Sequence, residues 1–141
     1  MFPSHPPILL ADDDPSDIFL ITRAFRKAGF ENPIHAVETT PLALKYLKGE
    51  DPYSDRSMFP HPGLVILDSN IPGKPHEALL WIREQSHLKS LPVIVFSGSE
   101  NPGHKSKALE LGASAYHIKP QAFEAFVETI KRIGEYWLRE K

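Results

Sequence analysis

Apolar residues in this chain come in short runs, each cut off by a polar residue. Ile8-Leu9-Leu10-Ala11 stops at Asp12-Asp13-Asp14, and Leu64-Val65-Ile66-Leu67 stops at Asp68 before an Ile71-Pro72-Gly73 turn. Pro92-Val93-Ile94-Val95-Phe96 stops at Ser97-Gly98-Ser99, and the weaker runs Ile34–Val37 and Ser114–Ile118 end at Glu38 and at Lys119-Pro120. Continuous apolar runs of this length predict strands buried on both faces, as at the centre of a parallel sheet covered by helices.

The segments between them carry helical spacing. Pro15 to Ala28 places Leu20, Ile21, Ala24, Phe25 and Ala28 on one stripe, with Asp14 as N-cap and Gly29 as stop. Thr40-Pro41 opens a helix through Leu47 that Gly49 closes. Glu77 to Gln85 and a short, poorly apolar helix from Asn101-Pro102 to Leu111 follow. Pro120 to about Leu138 has the cleanest stripe: Phe123, Phe126, Val127, Ile130, Ile133, Trp137 and Leu138. At 1.5 Å per residue that last helix would be nearly 30 Å long, so its end either reaches beyond the core or folds Trp137 back on the domain edge. Glu50 to Pro62, with three prolines and no periodicity, reads as a long loop. Five alternations of strand and helix imply an α/β fold: a doubly wound five-stranded parallel sheet with right-handed crossovers and helices on both faces.

At 141 residues the expectation is one domain, 1-141, with an extended C-terminal helix. The absence of cysteine excludes disulfides and thiolate metal sites. A net charge of -2 offers no global basic field for nucleic acid, and no apolar run is long enough for a membrane span or a signal peptide. A cytoplasmic protein is the expectation. The seven histidines lack metal-ligand spacing.

Strand ends on one edge would bring together Asp12, Asp13, Asp68, Ser97 and Lys119, the edge where open α/β sheets bind ligands. Crowded carboxylates repel unless a cation sits among them, and an all-oxygen set favours Mg²⁺, with Mn²⁺ possible, over zinc. A lysine and a hydroxyl beside such a metal suit a phosphoryl group, and a carboxylate can itself be the nucleophile. Asp14 leaves room for a one-residue shift of the acid pair; strand length and Pro15 favour Asp12 and Asp13.

The run Asp12-Asp13, Asp68 with Pro72 four residues on, Val95-Phe96-Ser97 and Tyr116-His117-Ile118-Lys119-Pro120 resembles the CheY-like receiver domains of two-component response regulators, along the whole chain. The resemblance implies a flavodoxin-like fold with Asp68 as phosphoacceptor, and Mg²⁺ held by Asp12, Asp13, Asp68 and the backbone carbonyl of Asn70. It makes Ser97 and Tyr116 the switch residues and Lys119 the phosphoryl ligand, with a cis Lys119-Pro120 peptide. The implied partner is a sensor histidine kinase or phosphotransfer protein. The chain would be no enzyme beyond assisting its own phosphorylation and dephosphorylation, and would carry no output domain, so that output runs through a homodimer or a partner. The proline-bearing loop and Tyr136-Trp137-Leu138 also resemble single-domain regulators of bacterial phytochrome kinases, many of which dimerise. Phe19, outside its helix's stripe, and Trp137 are the candidate partner contacts.

Pro75-His76 stand where receivers usually have an acidic-Gly pair, and Gly98 replaces the usual alanine. Three other readings compete: a phosphorylation-independent docking or dimerisation module, an aspartyl-phosphate hydrolase and a nucleotide binder. The hydrolase would want an aspartate where Asn70 stands, and the nucleotide binder a Ser/Thr/Gly-rich loop where Asp12-Asp13-Asp14 stand.

Overall fold

The structure is a computed structural model that describes residues 5–138. Strands β1 (Ile8–Ala11), β2 (Ile34–Val37), β3 (Leu64–Leu67), β4 (Val93–Ser97) and β5 (Ala115–Ile118) form one parallel sheet in the order β2-β1-β3-β4-β5. They alternate with helices α1 (Pro15–Lys27), α2 (Thr40–Lys48), α3 (Pro75–Glu84), α4 (Pro102–Glu110) and α5 (Phe123–Trp137). A single 3₁₀ turn at Ser86–Leu88, not foreseen from the pattern, links α3 to β4.

Strand residues alternate between two apolar layers. Ile8, Leu10, Leu64, Ile66, Ile94 and Phe96 face α1 and α5, where Ile21, Phe25, Phe126, Ile130 and Ile133 cover them. Leu9, Ala11, Val65, Leu67, Val93 and Val95 face the other side, under Tyr46, Leu47, Leu79, Ile82 and Ala108. The period-2 geometry of a strand thus splits each continuous apolar run between two cores.

Helix boundaries follow their caps. Asp14 accepts from the Ser16 N–H, Thr39 from Leu42 and Asn101 from Gly103, each ahead of a proline in the first turn. Gly49 ends α2 in the left-handed conformation, φ 73°. Two expectations need correction. Helix α5 starts at Phe123, not Pro120, because Ala122 is extended and its carbonyl takes the first helical bond, from Phe126. Its 15 residues make it about 22 Å long. Trp137 and Leu138 then pack back against the α1/α5 core, while Tyr136 is the exposed member of the Tyr136–Trp137 ring pair. The Lys119–Pro120 peptide is trans, the form an X–Pro bond prefers by about 0.5–1 kcal/mol. Among the described residues the cis peptide is Asp51–Pro52.

Arg56 anchors the segment 50–62. Arg56 donates to the carbonyls of Tyr46 (2.8 Å), Leu47 (2.9 Å) and Phe59 (3.0 Å), so it caps the C-terminus of α2 and pins the loop to it. Tyr46 completes the clasp: its hydroxyl donates to Pro60 and its ring meets those of Tyr53, Phe59 and His35. Among the described residues no helix is long and apolar enough to cross a membrane.

Candidate functional site

Backbone ladders carry on for one residue past the strands and bring the polar residues to a common edge. The Asp12 N–H donates to Val37, Asp68 to Ala11 and Lys119 to Ser97. β1 and β3 are neighbours although β2 comes between them in sequence, so Asp12 and Asp68 flank the switch point of the sheet, where a crevice opens.

Each of these two carboxylates is held the same way. One oxygen accepts a backbone N–H two residues on, Asp14 for Asp12 and Asn70 for Asp68, both at 2.9 Å. The other oxygen faces the Lys119 ammonium, at 3.2 Å from Asp12 and 2.9 Å from Asp68. Asp17, in the first turn of α1, supplies the shortest contact to Lys119, at 2.7 Å. The ammonium also lies 5.8 Å from the centre of the Phe96 ring.

One ammonium shared by three carboxylates undercompensates them. Burial pushes Asp12 above the ordinary carboxylate range, with the Asp68 charge adding to it, against the pull of the Asp14 N–H and of Lys119. Burial would lower Lys119, but its bonds to Asp17 and Asp68 and the charges of Asp68 and Asp12 outweigh that and hold it above the ordinary lysine range. The acidic oxygens of Asp12, Asp17 and Asp68 lie within 4.8 Å of one another. An all-oxygen set with excess negative charge fits a hard divalent cation.

On the other side of Asp68 the contacts are between hydroxyls. The Ser69 hydroxyl donates to Ser97 at 2.7 Å, and the Ser99 N–H donates to the same oxygen at 3.1 Å. Ser97 is fully buried and accepts both bonds, which leaves its own proton to donate. Tyr116 donates its hydroxyl to the Ser99 carbonyl at 2.9 Å.

The structure therefore brings together Asp12, Asp68 and Lys119, and ties Ser97 and Tyr116 to the loop after β4. Asp13 is exposed beside Asp12 and stands outside the group of converging carboxylates, and Asn70 is exposed next to Asp68. Phe19 is 61% exposed on α1, whereas Trp137 is half-buried. Sequence reasoning missed Asp17 and Ser69. Asp17 had a legible signal, an acid in the first turn of the helix that follows the acidic strand end; Ser69 had only its place after Asp68.

The response regulator receiver domain model matches residues 8–131. The chain belongs to that family. A receiver is a signalling module of two-component systems, which agrees with the resemblance read from the sequence. This receiver is 34% identical over 132 residues to the probable methanogenesis regulatory protein FilR2 of Methanothrix harundinacea (strain 6Ac), covering 93% of this chain and 83% of that protein. It is similar to the solved structure of the phosphorylated cyanobacterial phytochrome response regulator RcpA, with a TM-score of 0.86 at 31% identity, over 96% of this chain and 95% of the other. Against response regulator RPA3017, in red light signaling of R. palustris, the TM-score is 0.90 at 29% identity, over 95% and 94% of the two chains.

Proposed function

We propose that this receiver is a phosphoacceptor switch in which Asp68 takes a phosphoryl group from a histidine kinase or phosphotransfer protein. A carboxylate oxygen of Asp68 attacks phosphorus as the bond from phosphorus to the donor nitrogen breaks, and that nitrogen keeps the electron pair and takes up a proton. The observation that carries this reading is the contact between the Lys119 ammonium and the Asp68 carboxylate at 2.9 Å, in a pocket with more acid than base.

Asp12 and Asp68, which converge, with Asp13 and the carbonyl of Asn70 from the exposed positions next to them, are the residues that would hold Mg²⁺. When bound, the ion supplies positive charge for the phosphoryl oxygens. Lys119 neutralises the same oxygens from the protein side, and Asp17 gives it an anchor outside the Asp12 and Asp68 pair. Ser97, whose proton is free to donate, offers a hydrogen bond to the arriving group; leaving Ser69 and Ser99 then releases the loop that Tyr116 holds.

Similarity to RcpA, a phytochrome response regulator, and to RPA3017, of red light signaling, supports a phytochrome-type kinase as the partner. Leu109 on α4, Ile118 on β5 and Tyr136 on α5, all exposed large hydrophobic residues, support output through that face, to a second copy or another protein.

The test is intact-mass spectrometry after incubation with a small acyl phosphate and Mg²⁺, beside Asp68→Asn, with sizing chromatography of the same samples. A single phosphoryl adduct that needs Mg²⁺ and is lost in the variant is expected, with a change in elution if assembly is the output. No adduct although Mg²⁺ binds would favour a docking module that works without phosphorylation.

A further inference from the structure

Beside the acidic site, on the sheet face that carries α3 and α4, lies a cavity of about 280 Å³. Its origin is in the sequence of α4. That helix buries only Ala108, and where an apolar residue would pack toward α3 the chain has His104 and Lys107, one turn apart on the same face. Across from them α3 presents His76 and Leu79, again one turn apart. The gap between the two helices is floored by Leu79, Val95, Ala108 and the Tyr116 ring. Its polar margin carries three basic side chains, His76, His104 and Lys107, and no acid lines it. Asp68 lies next to the lining residues Ser69 and Asn70, and one of its carboxylate oxygens is held toward Lys119.

We propose that this cavity is a binding site for a small aromatic carboxylate. The ring would lie on the apolar floor, and the carboxylate would meet the basic margin. The volume is at the lower limit of small-molecule pockets and is ample for one ring, since a cavity of about 150 Å³ suffices for benzene. Charge complementarity favours the anion, since Lys107 brings a full positive charge to the margin and the imidazoles of His76 and His104 add hydrogen-bonding groups beside it.

The wall of this cavity is also the support of the β4–α4 loop. Tyr116 holds the Ser99 carbonyl, the Ser99 hydroxyl bonds the ring of His104 at 2.6 Å, and the Ser99 N–H bonds Ser97. A ligand that presses on Tyr116 and pairs with His104 therefore acts on the segment that positions Ser97. Binding reciprocity makes the converse hold: a change at Ser97 alters affinity in the cavity. The binding itself does not depend on Asp68 accepting a phosphoryl group.

The experiment is a titration of the full chain with benzoate, and separately with neutral benzamide, followed by ¹H–¹⁵N NMR without phosphodonor. Benzoate is expected to shift the amides of Leu79, Val95, Ala108 and Tyr116 saturably, with a dissociation constant on the order of 1 mM, and to carry the Ser97 and Ser99 amides along. Benzamide should bind about threefold more weakly or worse, and Lys107→Gln, an exposed change, should weaken benzoate while leaving benzamide unaltered. The proposal is overturned by no saturable shift at those four amides, by saturation mapped to another surface, or by equal affinity for benzoate and benzamide.

Discussion

Replacing Lys119 with methionine removes the ammonium but keeps an unbranched stem beside Phe96. The side chains left behind are poorly solvated: Asp12 is 1% exposed, Asp68 9% and Asp17 24%. Stripping one partner from a buried ion pair costs about 3–5 kcal/mol because the remaining charge is unpaired. Partial exposure of Asp17, and the ability of Asp12 to take up a proton, put this case at the lower end, about 3 kcal/mol. For a chain of this size that is a fall in melting temperature of about 10 °C. Urea unfolding at pH 7 without divalent cation should show a lower midpoint at unchanged slope. The pH dependence carries the sharper test. The deficit needs ionised carboxylates, so it should shrink as pH falls through the carboxylate range. On the alkaline side the folded-state pKa of Lys119 is raised, so its contribution is complete below the unfolded lysine value and is lost only as pH rises through the higher folded one. The deficit should thus be flat from neutral pH to about 10. A loss under about 1 kcal/mol, or one that persists undiminished in acid, would refute the view that Lys119 compensates a buried acidic cluster.

Arg56→Met should cost about 2 kcal/mol, since three carbonyls lose a charged donor, and limited proteolysis should then cut within residues 50–62 faster than in the parent. Gly112→Ala should cost about 2–3 kcal/mol by thermal unfolding. Gly112 has φ +110°, and a Cβ there would meet Arg83 Cγ at 2.5 Å, disturbing a side chain whose Nε bonds the Gly112 carbonyl and whose guanidinium also bonds Leu91 and Ser114. Burial raises the Tyr46 phenol to about 12, against the nearby Arg56 charge. Absorbance at the phenolate band should show one of the four tyrosines titrating there. Its contribution to stability is full below the ordinary phenol value and is lost as pH rises through about 12.

The sheet was legible because buried parallel strands leave an unmistakable pattern, and the strand ends carried Asp12, Asp68, Ser97 and Lys119 with them. What periodicity could not show was which neighbours of those ends turn inward. Asp17 faces Lys119 because α1 starts at Pro15 and sets its third residue toward β5, a relation between two elements far apart in sequence. The start of α5 was misjudged for a related reason. Pro120 resembles a first-turn proline, yet the chain bends at Gln121 and Ala122, the latter with extended dihedrals, before the helix begins. The clasp on segment 50–62 was hidden because an arginine that caps a helix by side chain alone looks, in sequence, like any surface arginine.

Asp68 and Ser69 are joined by one peptide bond but answer to different halves of the molecule. Through Lys119 the Asp68 carboxylate is tied to β5 and, via Asp17, to α1. Through Ser97 the Ser69 hydroxyl is tied to the β4–α4 loop, where Ser99 gathers Tyr116 and His104. Any change in charge at Asp68 alters the balance on Lys119 first, because that ammonium already serves more acid than it can neutralise. A group that takes the Ser97 proton and draws its hydroxyl toward Asp68 strains the hydrogen bonds that Ser69 and Ser99 make to it. The two responses are separable: removing the ammonium should alter stability and its pH dependence, whereas Ser97→Ala should leave the acidic cluster intact and loosen only the loop. Amide hydrogen exchange faster at Ser99 and Asn101 but unchanged at Asp12 and Ala11 would be the signature of that separation.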